Sequence, residues 1–191
     1  ENEENKYKKM FYSLVDKTAE LLAKWQVYGF QHGVMNTDNF SVAGLTIDYG
    51  PYAFMDYFEK NSICNHTDQE GRYSYNNQPY VARWNLFALI DALKLICDES
   101  KLESYMKAFL PQHEKVYLDL MNKRLGLDAS KSGNSNLHLI LELLGSLESS
   151  KMDYNVFFYR LTHLKSFEDL SSILDIAVFQ EPLKKWFESY K

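Results

Sequence analysis

No apolar run in this chain approaches the ~20 residues that a helical membrane span needs. The polar start, Glu1-Asn2-Glu3-Glu4-Asn5, has none of the character of a secretory signal. The chain is therefore expected to be soluble. Cysteine is scarce as well: the only two, Cys64 and Cys97, lie far apart and match no metal-ligand spacing, so they are expected as reduced thiols in a reducing compartment. Positive charge is in deficit. With 21 Lys and Arg against 26 Asp and Glu, the formal charge is −5. That balance argues against a nucleic-acid footprint and against an anionic-membrane surface, so any phosphate binding has to be local. Internal repeats and low-complexity tracts are missing too. Two N-x-S/T triplets, Asn39-Phe40-Ser41 and Asn65-His66-Thr67, carry no weight without a secretory context.

What the chain does contain is apolar and aromatic. Hydrophobic residues make up 46% and aromatics 15% of the 191 residues, which excludes a disordered chain and fits one compact unit or a lobe of a larger protein. From Lys6 to Tyr28 the residues Met10, Phe11, Leu14, Val15, Leu21, Leu22 and Trp25 recur at helical intervals, and Gly29 is the expected stop. Two short runs, 40–43 and 45–47, separated by Gly44, read as a small β-hairpin. Residues 49–80 show no sustained period, and their many aromatics favour an ordered, functional loop. Further helices are expected over 81–97, from Leu102 until an interruption at Pro111, from Glu114 to Gly126, and over 137–147 and 156–164. Ser166-Phe167-Glu168-Asp169 resembles a capping box, Glu181-Pro182 opens a last helix, and the breaker-rich stretch 128–135 is the best hinge candidate. The expected class is mainly α with one small hairpin. The Tyr and Phe stripes over 81–125 and 154–187 are read as core packing, and His113, His138 and His163 as unconnected single histidines.

One stretch carries chemistry. His32-Gly33-Val34-Met35-Asn36-Thr37-Asp38-Asn39, followed after a short apolar run by Asp48-Tyr49-Gly50-Pro51, gathers acids, amides and glycines within about twenty residues. If Asn39 and Asp48 flank a hairpin, an amide oxygen and a carboxylate can converge on one magnesium ion, completed by phosphate oxygens and water. Asp38 then remains as a free carboxylate able to accept a proton. His32 is read as a loop anchor, and His66 with Asp68 as a satisfied loop network. Eukaryotic-type kinases place H-R-D-x-x-x-x-N before a hairpin and D-F-G after it. This chain keeps the His32-to-Asn39 spacing and has Asp48-Tyr49-Gly50 at the second motif, but Val34 stands where a kinase keeps its catalytic Asp.

These motifs resemble the selenoprotein O family. The resemblance rests on Trp25-Gln26 with Gly29-Phe30, the run 32–39, Gly44-Leu45-Thr46-Ile47-Asp48-Tyr49-Gly50-Pro51, Cys64-Asn65-His66, Gly71-Arg72-Tyr73, Asn77-Gln78-Pro79, Trp84-Asn85-Leu86, and Asp153-Tyr154 with Phe157-Phe158. It implies a protein-kinase-like (pseudokinase) C-lobe belonging to a protein adenylyltransferase, which transfers AMP from ATP to Ser, Thr or Tyr hydroxyls of proteins. Carried over, Asp38 is the proton acceptor, Asn39 a metal ligand, and Asp48 a metal ligand that also contacts the nucleotide. The implied cofactors are ATP and Mg2+, with Mn2+ as a substitute. The implied partners are protein substrates, without nucleic acid or membrane. On this reading residues 1–191 are a single C-lobe, with the N-lobe and C-terminal tail outside the chain, and the lobe by itself is expected to be inactive. The expected location is the bacterial cytoplasm, or the mitochondrion for a eukaryotic source. A kinase-like phosphotransferase and a non-catalytic scaffold are the alternatives, and Val34 weighs against the first.

Overall fold

The computed structural model describes residues 3–128 and 134–191. Most of the predicted hinge at 128–135 lies outside the described residues. The protein is mainly helical with one small two-stranded antiparallel sheet. Its described residues divide into two compact units: one contains the chain up to Ala53 and Asn61–Tyr117, the other Phe54–Lys60 and Leu118–Lys191.

The first unit is built on helix α1 (Glu3–Tyr28), which buries Phe11, Leu14, Val15, Ala19, Leu22 and Trp25 along one stripe. Glu3 and Glu4 in its first turn suit the positive end of the helix dipole. The helix stops because Gly29 takes φ +71°, a left-handed value that L side chains rarely adopt. The α1 stripe packs on α2 (Gln78–Leu93) and α3 (Glu99–Met106) through Val81, Ala82, Leu86, Ile90, Leu102 and Met106. Each fully buried Leu or Phe side chain in such a core contributes about 1.5–3 kcal/mol. Tyr105 stacks on Tyr12 with ring centroids 3.8 Å apart, and its hydroxyl donates to both carboxylate oxygens of Asp16.

Three sequence expectations need correction here. Helix α2 ends at Leu93, not at 97, because Asp98 caps the following helix by accepting from Ser100 N at 3.1 Å, which turns the chain before it. Pro111 does not interrupt a helix. The break falls at Lys107–Ala108, and Pro111 sits in the first turn of α4 (Phe109–Leu125), where its missing N–H would have had no partner. The predicted hairpin over 40–47 reduces to a single antiparallel bridge between Phe40 and Thr46. The paired strands are instead β1 (Phe30–Gln31) and β2 (Ala53–Phe54).

The second unit contains the end of α4, α5 (Asn134–Ser150), α6 (Tyr154–Thr162), a short 3₁₀ turn at Phe167–Leu170, α7 (Ser171–Leu174) and α8 (Glu181–Tyr190). Helices α5 and α8 pack together, and Trp186 Nε1 donates to Leu139 O at 2.9 Å. Asp153 caps α6 through Val156 N at 2.7 Å. Of the capping box expected at Ser166, the structure shows the cap, Glu168 N donating to the Ser166 hydroxyl at the start of the 3₁₀ turn, and Pro182 lies in the first turn of α8. Tyr154, Phe157, Phe158, Trp186 and Phe187 fill the core as an aromatic cluster.

Candidate active site

The loop that follows β1 is held by groups that satisfy its backbone one carbonyl at a time. Gln78, fully buried at the start of α2, donates through Nε2 to Phe30 O and accepts from His32 N, both at 3.0 Å. Asn65 Nδ2 donates to Gly33 O at 3.0 Å, Asn39 Nδ2 to Val34 O at 3.0 Å, and the buried Asn85 to Met35 O at 2.9 Å. Tyr73 donates its hydroxyl to Asn36 Oδ1. Buried backbone polar groups demand such partners, so this set fixes the path of 30–39. Gly33 is required twice over: its φ is +81°, and a Cβ there would lie 2.8 Å from Cys64 Sγ and 3.0 Å from Pro51 Cγ. Burial pushes the Cys64 thiol up from its ordinary value.

His32 anchors the loop from inside. It is 1% exposed, and its Nε2 lies 2.8 Å from Ile47 O. A carbonyl can only accept, so Nε2 carries the proton. Val34 N–H points at Nδ1 from 3.4 Å, so Nδ1 is bare. Both ring nitrogens are thus engaged, which is the anchoring role expected of it. Through Ile47 it holds the residue immediately before Asp48.

Asp38 and Asn39 lie on a 3₁₀ turn, Thr37–Asn39, closed by Asn39 N donating to Asn36 O at 3.0 Å. The amide of Asn39 is oriented by its bond to Val34 O, which leaves Oδ1 without a donor among the described residues. The Phe40–Thr46 bridge begins one residue later, and Trp25 Nε1 donates to Thr46 Oγ1 at 3.0 Å, fixing the returning arm to α1. Two residues beyond the bridge, Asp48 adopts φ 55°, uncommon for any residue but glycine and least unfavourable for Asn and Asp. Gly50 N donates to Asp48 O at 2.8 Å across this turn. The side chains of Asp38 and Asp48 are exposed, and neither carboxylate has a hydrogen bond or ion pair among the described residues. The bridge thus brings the two arms bearing Asp38, Asn39 and Asp48 alongside each other.

The donor set suits a hard cation. A carboxylate and an amide oxygen are magnesium-type ligands, while the described residues contain no cluster of three His, Cys, Asp or Glu side chains. A cation here would take its remaining ligands from phosphate and water. The longer loop beyond is ordered by its own bonds. Asp68 accepts from Arg72 N at 2.9 Å and Tyr73 N at 2.8 Å, and Asn65 Oδ1 accepts from Thr67 N at 3.0 Å. Asp68 is therefore a structural member of that loop. Sequence reasoning missed Gln78 and Asn85. A signal for Asn85 was present: it falls in register with Val81, Ala82, Leu86 and Ile90 on the buried stripe of α2.

Comparison with known proteins adds two findings. The family model described as protein adenylyltransferase SelO matches residues 1–191. Curated relatives include a protein nucleotidyltransferase YdiU of Pseudomonas aeruginosa (strain LESB58), 46% identical over 188 residues, covering 98% of this chain and 38% of that protein. Another, from Pseudomonas putida (strain W619), is 44% identical over 187 residues with the same coverage of each chain. The chain thus spans 38% of the length of these relatives.

Proposed function

The chain belongs to the protein adenylyltransferase SelO family, and from that premise we propose that it is the kinase-like C-lobe of an enzyme that transfers AMP from ATP to Ser, Thr or Tyr hydroxyls of proteins. The observation that carries this reading is the trio of oxygen-bearing groups left unpaired, Asp38, Asn39 Oδ1 and Asp48, on a loop whose surrounding backbone is clamped. In the proposed step the acceptor hydroxyl oxygen attacks the α-phosphorus, the bond from that phosphorus to the bridging oxygen breaks, and pyrophosphate leaves. The hydroxyl proton passes to Asp38. Asn39 and Asp48 would hold a magnesium ion, whose charge would offset that of the phosphates. Val34 supplies no base, so Asp38 takes that role. Within a bacterial cell the proposed location is the cytoplasm; among the described residues no helix is long and apolar enough to cross a membrane.

Because the relatives are much longer, the activity is assigned to the full-length protein, and the lobe by itself is proposed to be inactive. The test is incubation of full-length protein and an acceptor protein with ATP labelled at the α or the γ position. The α-label is expected on the acceptor, and Asp38→Asn should lower its transfer by about 10²–10⁴-fold while ATP affinity is kept. Transfer of the γ-label alone would replace this reading with phosphotransfer, and ATP binding without transfer of either label would favour a scaffold.

A further inference from the structure

Beside the loop clamped by Tyr73 lies a second arrangement that the catalytic trio does not use. The Arg72 guanidinium carbon sits 5.5 Å from the centroid of the Tyr73 ring and 5.4 Å from that of Trp84. Its backbone is pinned on both sides, the N–H to Asp68 Oδ1 and the carbonyl by Asn77 Nδ2. The Asp68 carboxylate is occupied by the two backbone N–H groups of Arg72 and Tyr73, and no carboxylate lies within ion-pair distance of the guanidinium among the described residues. Arg72 thus combines a fixed position, aromatic cover and unpaired charge.

The same residue lines an open cleft of about 250 Å³ with Asn77, Tyr80, Val81 and Trp84. Tyr80 is 57% and Trp84 53% exposed, one helical turn apart on α2. Exposed aromatics of this kind around a held arginine are what protein-recognition surfaces are made of. When aromatic rings cover its faces, a guanidinium offers its edge N–H donors, a fork that matches a carboxylate in two parallel hydrogen bonds. The neighbouring Tyr73 hydroxyl reaches Asn36, which precedes the turn bearing Asp38. Tyr73, the residue after Arg72, thus ties the segment that carries the cleft's arginine to the loop bearing Asp38.

We propose that the Arg72–Tyr80–Trp84 cleft is an acceptor subsite that receives an Asp or Glu side chain of the protein substrate near its target hydroxyl. This inference rests on the AMP-transfer reading for its catalytic consequence and on the cleft alone for binding. Arg72 is a specificity residue here, touching the substrate away from the reacting atoms. Tyr80 and Trp84 supply the apolar floor for the adjoining residues.

The test uses full-length protein and two tyrosine peptides that differ only in flanking Glu or Gln, with α-labelled ATP. Wild type should show the lower KM for the Glu peptide. Arg72→Gln should raise that KM about tenfold, the size of one charge-assisted contact, with KM for the Gln peptide, KM for ATP and kcat unchanged. Arg72→Lys should recover part of the preference. A rise in KM for ATP with peptide KM unchanged would assign Arg72 to the nucleotide and overturn the subsite, as would equal KM values for both peptides in wild type. Fluorescence anisotropy of a labelled Glu-Ala peptide without hydroxyls separates the two readings. Binding that Arg72→Gln weakens supports the subsite even if no peptide takes label, in which case AMP transfer to peptides fails. No binding to wild type overturns the subsite.

Discussion

A half-buried histidine makes the stability of the first unit depend on pH in a calculable way. His113 lies in the first turns of α4, with Nε2 shut off from solvent and without a partner, and its ring roughly parallel to that of Tyr117 at 6.5 Å. Burial pushes its pKa down from 6.5 to about 4, with a hydrogen bond to the Leu22 backbone working the other way. The unfolded chain takes up this proton near 6.5, while the folded chain resists until about 4. Between those values the unfolded state binds more protons, so stability is fully present above 6.5 and falls as pH is lowered towards 4. At 1.36 kcal/mol for each pH unit of separation, the whole loss is about 3 kcal/mol, of which about 2 kcal/mol is reached by about pH 5. His113→Leu removes the titrating group and the bare nitrogen together. Urea unfolding of wild type and variant at about pH 7.5 and about pH 5 isolates the effect, since carboxylates contribute to both proteins alike. The wild type should lose about 2 kcal/mol more than the variant between the two conditions. Equal losses would show that His113 is protonated in the fold and would refute the argument.

Two further perturbations address other parts of the molecule. Gly33→Ala should destabilise by on the order of 1–2 kcal/mol from the left-handed backbone alone, with more from the contacts to Cys64 and Pro51. A urea midpoint unchanged from wild type would contradict the backbone placement. Trp186→Phe deletes the donor to Leu139 O and the face stacked on Tyr190 at 4.6 Å. A loss of about 1–3 kcal/mol is expected, read from the near-ultraviolet circular dichroism of the aromatic cluster during unfolding; a smaller loss would mean that the hydrogen bond is replaced by water.

The 3.6-residue period makes α1 and its end at Gly29 legible, because a long stripe of large apolar residues has few other uses. Short strands are another matter. A two-residue strand such as Phe30–Gln31 is too brief to show a period of two, and its partner lies 22 residues further on, so nothing local announces the pairing. The run 40–47 carries strand-like residues but is bounded by a 3₁₀ turn on one side and the left-handed Asp48 on the other, which leaves room for a single bridge. Pro111 misleads for a related reason: a proline that opens a helix and one that ends it look alike until the break is located. At the site, His32, Asp38, Asn39 and Asp48 are legible as a motif, whereas Gln78 and Asn85 act through backbone carbonyls that only the folded chain brings to them.

The division of labour between amides and carboxylates in this loop has a physical reason. A carbonyl needs a donor, and a neutral carboxamide can supply one from a buried position at far lower desolvation cost than a charged group. Gln78 and Asn85 do this from buried positions and Asn65 and Asn39 from half-buried ones, while the buried His32 bonds Ile47 O through Nε2. Had Asp38 or Asp48 been used to fix the backbone through its N–H groups, as Asp68 is, its oxygens would be spent. Leaving both acids outside the clamp keeps both carboxylates exposed, on the two arms that the Phe40–Thr46 bridge joins. The clamp fixes the path of this loop without charge of its own, and on the proposed reading that is the condition for electrostatic preorganisation. The exposure of the two acids and the burial of Gln78 and Asn85 are thus one design, in which each group type sits where its desolvation cost is least and its hydrogen-bonding capacity is used.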